Sequence, residues 1–423
     1  MTVPVAGYCD RRFAGVRRAF SANFAERGEL GAAVTVTVGG DTVVELVGGW
    51  ARAHPRCPWQ PDTLVDIYSA AKPFLALLVL ALVDAGIVGL DDPVAELWPE
   101  FAEGGKAAAT VRHALCHRAG VPAIRAPLDN DALWDWDRMV GALAATEAWW
   151  EPGTRHAYHA NTYGHLVGEI VRRATGTMPG ARLAAMAESV GADLHVGVSP
   201  GDLGRCADVV LASRTPGAGI DGSPLGAADD RRPRAAAQAG GDGGGAAGGS
   251  PAGAGEAERS MLALAYFNPP GYSSIGVENT ERWRRAEVPS TNAHATATAI
   301  ARVYAALLEE GRLLSPALLA EATSVQSEGY CPVLGEHATF GLGFTPTTVR
   351  RRFGPNPGSF GHFGTGGAVG FADPVAGVAF GYAMNHVIPR WQSTRNRALI
   401  DAVYEALAPT GASGGRRAGA APP

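Results

Sequence analysis

Ser69-Ala-Ala-Lys72-Pro-Phe-Leu-Ala-Leu-Leu-Val-Leu-Ala-Leu-Val83 is the stretch from which the rest of the chain is read. The apolar run from Pro73 to Val83 is too short to span a bilayer and meets Asp84 at its end, so it predicts a buried helix. Ser69 and Lys72 stand at its start, three residues apart. That spacing shares a helical face and lets the amine take the proton of the hydroxyl during nucleophilic attack. Free backbone N–H groups and the positive end of the helix dipole at the same place favour an alkoxide or oxyanion. Composition sharpens the reading, because the 36 Lys+Arg residues include two lysines, Lys72 and Lys106. A guanidinium stays protonated in a protein, whereas a buried ammonium can lose its proton and act as a base. Read alone, the four residues are equally an ordinary helix start with Ser69 as cap.

Outward from this helix, Phe13, Val16, Phe20 and Phe24 have helical spacing over 13–27, and Gly31 to Val38 and Thr42 to Val47 form two β-branched runs. The Gly39-Gly40-Asp41 step between them predicts a hairpin. From about 90 to 191 the chain reads as helix and loop, with Thr110 as a cap and an amphipathic helix over 161–176. Residues 199–257 are rich in Gly, Ala, Pro, Asp and Arg, with few large apolar side chains. They are expected to form a flexible insertion. A helix near 296–310, a hairpin over 366–371 and 377–385, and a helix near 395–407 complete the pattern.

Two further segments carry candidate chemistry. In Trp149-Trp-Glu-Pro-Gly-Thr-Arg-His-Ala-Tyr158-His-Ala-Asn161 a turn presents a tyrosine just before a helix. A phenol near a lysine ammonium can have its pKa lowered and relay a proton, although a lone tyrosine is ordinarily half-buried structure. In Phe360-Gly-His362-Phe-Gly364-Thr365-Gly-Gly the glycines let a strand edge approach a ligand, and a backbone N–H there can join that of Ser69 in an oxyanion hole. It is no dinucleotide loop, since Val369 occupies the third glycine position and a strand follows. His113 and His117 are four apart, but without a glutamate between them or a third ligand they read as capping or packing. No metal is assigned. Trp134, Trp136, Trp149 and Trp150 are candidates to line an acceptor pocket, against a plain reading as core.

Composition excludes other classes. A formal charge of -5 gives no basic stripe for nucleic acid. The five cysteines, odd in number and far apart, suit reduced thiols. The N-terminal residues show no basic and apolar leader, so a cytoplasmic, non-membrane protein is expected.

The order SxxK, tyrosine turn, Gly-rich strand resembles the serine β-lactamase and penicillin-binding-protein family, especially class C enzymes and related esterases and transacylases. The likeness runs from about Phe13 to Leu407 without the insertion. It includes Thr110-Val-Arg-His-Ala-Leu-Cys-His-Arg-Ala-Gly120-Val-Pro, Pro152-Gly-Thr and Gly370-Phe-Ala-Asp-Pro374. The resemblance implies an α+β fold, an α/β sandwich with a central antiparallel sheet plus a helical subdomain. One catalytic domain over 1–407 is expected, with its sheet region at about 11–88 and 285–407. The helical subdomain falls at about 89–198 and 258–284, the insertion at 199–257, and a disordered tail at 408–423.

By the same resemblance Ser69 is the nucleophile, Lys72 its base partner and Tyr158 the second proton relay. His362, Gly364 and Thr365 stand at the family's Lys-Thr-Gly or His-Thr-Gly strand, and Asn161 is a substrate-binding candidate. Two departures narrow the activity. The family's Tyr-x-Asn has Ala160 at its third position with the asparagine displaced to Asn161, and a mostly neutral His362 replaces a carboxylate-binding lysine. These favour an ester donor over a β-lactam. Serine-dependent acyl transfer to water, or to an amine or alcohol in natural-product metabolism, is expected without a cofactor. The alternatives are β-lactamase or DD-peptidase-type amide hydrolysis, and a catalytically silent binding protein.

Overall fold

The computed structural model describes residues 3–211, 255–388 and 392–408. Its centre is an antiparallel sheet built from both ends of the chain. The strands are β1 (Val5–Cys9), β2 (Gly31–Val38), β3 (Asp41–Arg52), β6 (Thr345–Pro346), β7 (Phe360–Phe363), β8 (Val369–Asp373) and β9 (Val378–Met384), with β4 (Ser327–Cys331) and β5 (Glu336–Phe340) forming a separate hairpin. Their order in the sheet is β1-β3-β2-β9-β8-β7-β6, and Cys57–Pro58 adds to β3.

The pleat sorts side chains to two faces. In β9, Phe380, Tyr382 and Met384 share the face on which Gly48 meets Phe20 and Phe24 of α1 (Ala14–Glu26). The other face takes the helix Ala297–Leu308, capped by Thr296. Gly381 permits that approach, since a Cβ there would lie 2.2 Å from Ala297 O. The C-terminal helix Thr394–Leu407 packs on α1 and is tied to the segment between α1 and β2 by a fully buried ion pair, Arg395 Nη1 to Glu29 Oε1 at 2.6 Å, and the Tyr382 hydroxyl also donates to Glu29.

Between residues 67 and 193 the described chain is helix and loop, and it contributes the site's scaffold: α2 (Lys72–Asp84) and α3 (Thr162–Thr175). Apolar from Pro73 to Val83, α2 is buried around most of its circumference, as expected of a helix enclosed by protein. Among the described residues no helix is long and apolar enough to cross a membrane.

Two expected boundaries are corrected. The sheet begins at β1, before residue 11, because an edge strand with exposed Gly7 and Tyr8 lacks apolar alternation and is recruited by pairing with β3. Residues 199–211 are not loose insertion. Leu64 N–H donates to Arg205 O at 3.1 Å, Ala207 N–H donates to Leu64 O at 2.8 Å, and Val210–Leu211 pair in parallel with His386–Val387. Ion pairs of Arg205 with Asp193 and Asp202 hold this segment where apolar residues are few. The central part of the expected insertion, 212–254, and the tail from 409 lie outside the described residues.

Candidate active site

Ser69 lies in a single 3-10 turn, Tyr68–Ala71, that runs directly into α2. The residue before it, Tyr68, has φ 51°, in the left-handed region that a tyrosine adopts only when its surroundings enforce it. Asp66 supplies that enforcement by accepting from Tyr68 N–H at 2.9 Å and Trp283 Nε1 at 3.2 Å. Burial pushes the Asp66 carboxyl up to about 8. The strained turn brings Ser69 to the mouth of the helix with 8% of its surface exposed.

Lys72 is fully buried. Its Nζ is 2.9 Å from Ser69 Oγ, 2.7 Å from Ala160 O and 3.3 Å from Ser290 O. A neutral amine has two N–H donors and one lone pair, which match two carbonyls and a hydroxyl that donates. Burial drives the Lys72 pKa well below the ordinary lysine value. This constellation can deprotonate Ser69.

Tyr158 sits across from this pair, its ring 5.0 Å from Lys72 Nζ. The expected lowering of its phenol is corrected: burial raises it, and a hydrogen bond with the Ser69 side chain opposes only in part. Lys72 lies over the ring face and is itself shifted toward neutrality, so it offers no fixed cation at the oxygen. Tyr158 is therefore held as a neutral phenol. Its N–H donates to Cys331 Sγ at 3.2 Å, and its ring stacks on Phe340 at 5.8 Å. The β4–β5 hairpin thus clamps it.

The strand β7 delivers the remaining groups. Gly364 abuts the serine turn so closely that a Cβ would lie 2.2 Å from Ile67 O and 3.3 Å from Ala70 N. Thr365 then opens a one-turn 3-10 helix, Thr365–Gly367, whose first N–H groups have no acceptor within the turn. His362 is buried and neutral, its pKa held down to about 3 chiefly by desolvation, and its Nδ1–H donates to Phe363 O at 2.7 Å. Its ring lies 6.1 Å from that of Tyr158.

Asn161 is corrected. Its Nδ2 donates to Ala265 O at 2.9 Å and Ser273 Oγ at 3.0 Å, and its Oδ1 accepts from Thr291 Oγ1 at 3.0 Å. The amide pins the tyrosine turn to neighbouring segments, which removes it from substrate recognition. Of the four tryptophans, two have their indole N–H bonded within the fold and two make ring contacts. Trp136 Nε1 donates to Glu169, Trp149 Nε1 to Ala123 O, Trp134 packs on Trp283, and Arg155 lies over Trp150. His113 completes a capping box with Thr110, and His117 is buried among aromatic rings. Tyr68, Asp66, Cys331 and Phe340 were not found from sequence, because each acts through long-range packing or an unusual backbone angle. His117 alone carried a signal, its four-residue spacing from His113.

A two-ended antiparallel sheet, a helical half, and a serine, lysine and tyrosine gathered where the two meet define the β-lactamase and transpeptidase class of fold. The chain belongs to the Beta-lactamase family, whose profile matches residues 16–405, and it is an enzyme of these β-lactamase-fold serine hydrolases. It is 32% identical over 400 residues to the esterase/beta-lactamase LipL of Mycobacterium tuberculosis, covering 91% of this chain and 83% of that protein. A penicillin-binding-protein homologue from Caulobacter crescentus superposes with a TM-score of 0.79 at 35% identity, over 95% of this chain and all of the other. A family VIII carboxylesterase does so with a TM-score of 0.80 at 32% identity, over 95% and 100%.

Proposed function

We propose that the enzyme takes an acyl group from a small-molecule ester through an acyl-Ser69 intermediate. Ser69 Oγ forms a bond to the carbonyl carbon while its proton passes to neutral Lys72. The N–H groups of Ser69 and Thr365 hold the oxyanion, and the ester C–O bond then breaks. Tyr158 hands a proton to the departing alcohol and is reprotonated through Lys72. Attack by an acceptor reverses the sequence, breaks the Ser69 ester and returns the proton to Oγ. The observation that carries this reading is the 2.9 Å contact between Ser69 Oγ and an amine whose other contacts are backbone carbonyls.

The ester donor draws support from the esterase named among the relatives and from the neutral His362 in place of a cation. The β-lactamase part of the relative's name keeps amide hydrolysis as the second reading. With water as acceptor the enzyme is an esterase; with an amine or alcohol it is a transacylase serving natural-product assembly. Incubation with an activated ester and a panel of amines tests this, by the share of acyl groups recovered as amide. Acid release alone at saturating amine contradicts transfer.

The pH dependence follows from Lys72. Its base form is neutral and its pKa is lowered, so kcat/KM for an uncharged ester is expected to rise with pH through a midpoint below the ordinary lysine value. A pH profile that falls across that range contradicts the assignment.

A further inference from the structure

Tyr158 lies in a turn between regular elements. Besides the clamp of the β4–β5 hairpin on Tyr158 and the Asn161 side chain further along, one residue holds this turn on both sides of the phenol. Ala157 N–H donates to His117 O at 3.2 Å, and His159 N–H donates to His117 Nδ1 at 3.2 Å. The neighbours of the phenol on both sides thus hang from His117. That residue is 2% exposed and holds φ 65°. Its ring lies 5.0 Å from Tyr158, 4.9 Å from Tyr163 and 4.5 Å from Phe340.

The hydrogen bonds also fix protonation. His159 Nδ1–H donates to Ala157 O at 2.7 Å while its Nε2 accepts from Val121 N–H at 3.2 Å, so this ring is spoken for at both nitrogens. His117 must offer a lone pair at Nδ1 and carry its proton on Nε2. Burial holds it in the neutral form.

We infer that His117 is the positioning residue for Tyr158: its Nδ1 and its carbonyl oxygen set the turn that aims the phenol at Ser69, and it affects the reaction only through that phenol. The inference rests on the reading of Tyr158 as proton relay. An asparagine can hold a left-handed backbone and present Oδ1 where His117 presents Nδ1, whereas glycine holds the backbone but offers no acceptor.

The test is ester kinetics on His117→Gly, His117→Asn, Tyr158→Phe and the His117→Gly/Tyr158→Phe double variant. His117→Gly is expected to lower kcat by about tenfold or more, the scale of a misplaced catalytic group, with KM changed by less than about threefold. His117→Asn is expected to recover most of that loss, and the double variant to be no slower than Tyr158→Phe. Asparagine no better than glycine, or losses that multiply in the double variant, overturns the inference. A harmless Tyr158→Phe overturns the relay reading itself, whereas a damaging Tyr158→Phe beside a harmless His117→Gly overturns this inference alone. Should the glycine variant not fold, 15N NMR of the wild-type imidazoles decides: His117 Nδ1 is expected unprotonated, and a protonated Nδ1 overturns the inference.

Discussion

Lys72→Arg is expected to be as damaging as Lys72→Ala, each lowering kcat/KM by about 10^4-fold or more, with Ser69→Ala at least as severe. Arginine keeps the positive charge but cannot give up its proton. If Lys72 served only as a cation, the arginine variant would retain much of the activity. The site argues against that role, because Nζ is packed against Ala160 O, Ser290 O and the Ser69 hydroxyl in full burial. A planar, larger guanidinium does not fit those three contacts. Ser69 and Lys72 act on one proton, so the Ser69→Ala/Lys72→Ala double variant is expected to be no slower than Ser69→Ala. Steady-state kinetics with a nitrophenyl ester measures all four. Losses that multiply in the double variant would show that the two residues work separately.

Tyr158→Phe is expected to cost about 10^2- to 10^4-fold in kcat, the range of a general acid or base. The size of the loss should depend on the leaving group. A nitrophenolate departs without a proton, whereas an alkoxide needs one from Tyr158. The variant should therefore lose far more activity on an ethyl ester than on the nitrophenyl ester of the same acid. The raised pKa of the buried phenol fits a donor held neutral until the alcohol leaves. Equal losses on both esters would contradict a role in leaving-group protonation.

Much of the fold was legible because the apolar patterns are strong. The hairpin from Gly31, the buried helix after Ser69, the helix beginning at Ala297 and the last two strands lie close to where their spacing put them. β1 and the β4–β5 hairpin were not legible, since their sequences alternate weakly and tertiary pairing decides them. The scarcity of lysine pointed to Lys72, yet Lys106 shows what that signal measures. Lys106 is also buried, with Nζ donating to the carbonyls of Glu103, Ala144 and Thr146, and burial lowers it to about 8. Both lysines mark places where a compact ammonium, rather than a guanidinium, fits a nest of carbonyls. The serine beside Lys72 distinguishes the two. Asn161 looked like a recognition group because its structural partners, at 265, 273 and 291, lie more than a hundred residues further along the chain.

The central claim is that an acyl group forms on Ser69 with Lys72 as its base. Rapid-quench mass spectrometry during turnover of an activated ester measures it directly. The wild type should carry one acyl group, mapped to the peptide containing Ser69, within the first turnover. Lys72→Arg should form the same adduct about 10^4-fold more slowly, and Ser69→Ala should form none. An adduct on another residue, or one that forms in Lys72→Arg at the wild-type rate, would contradict the account.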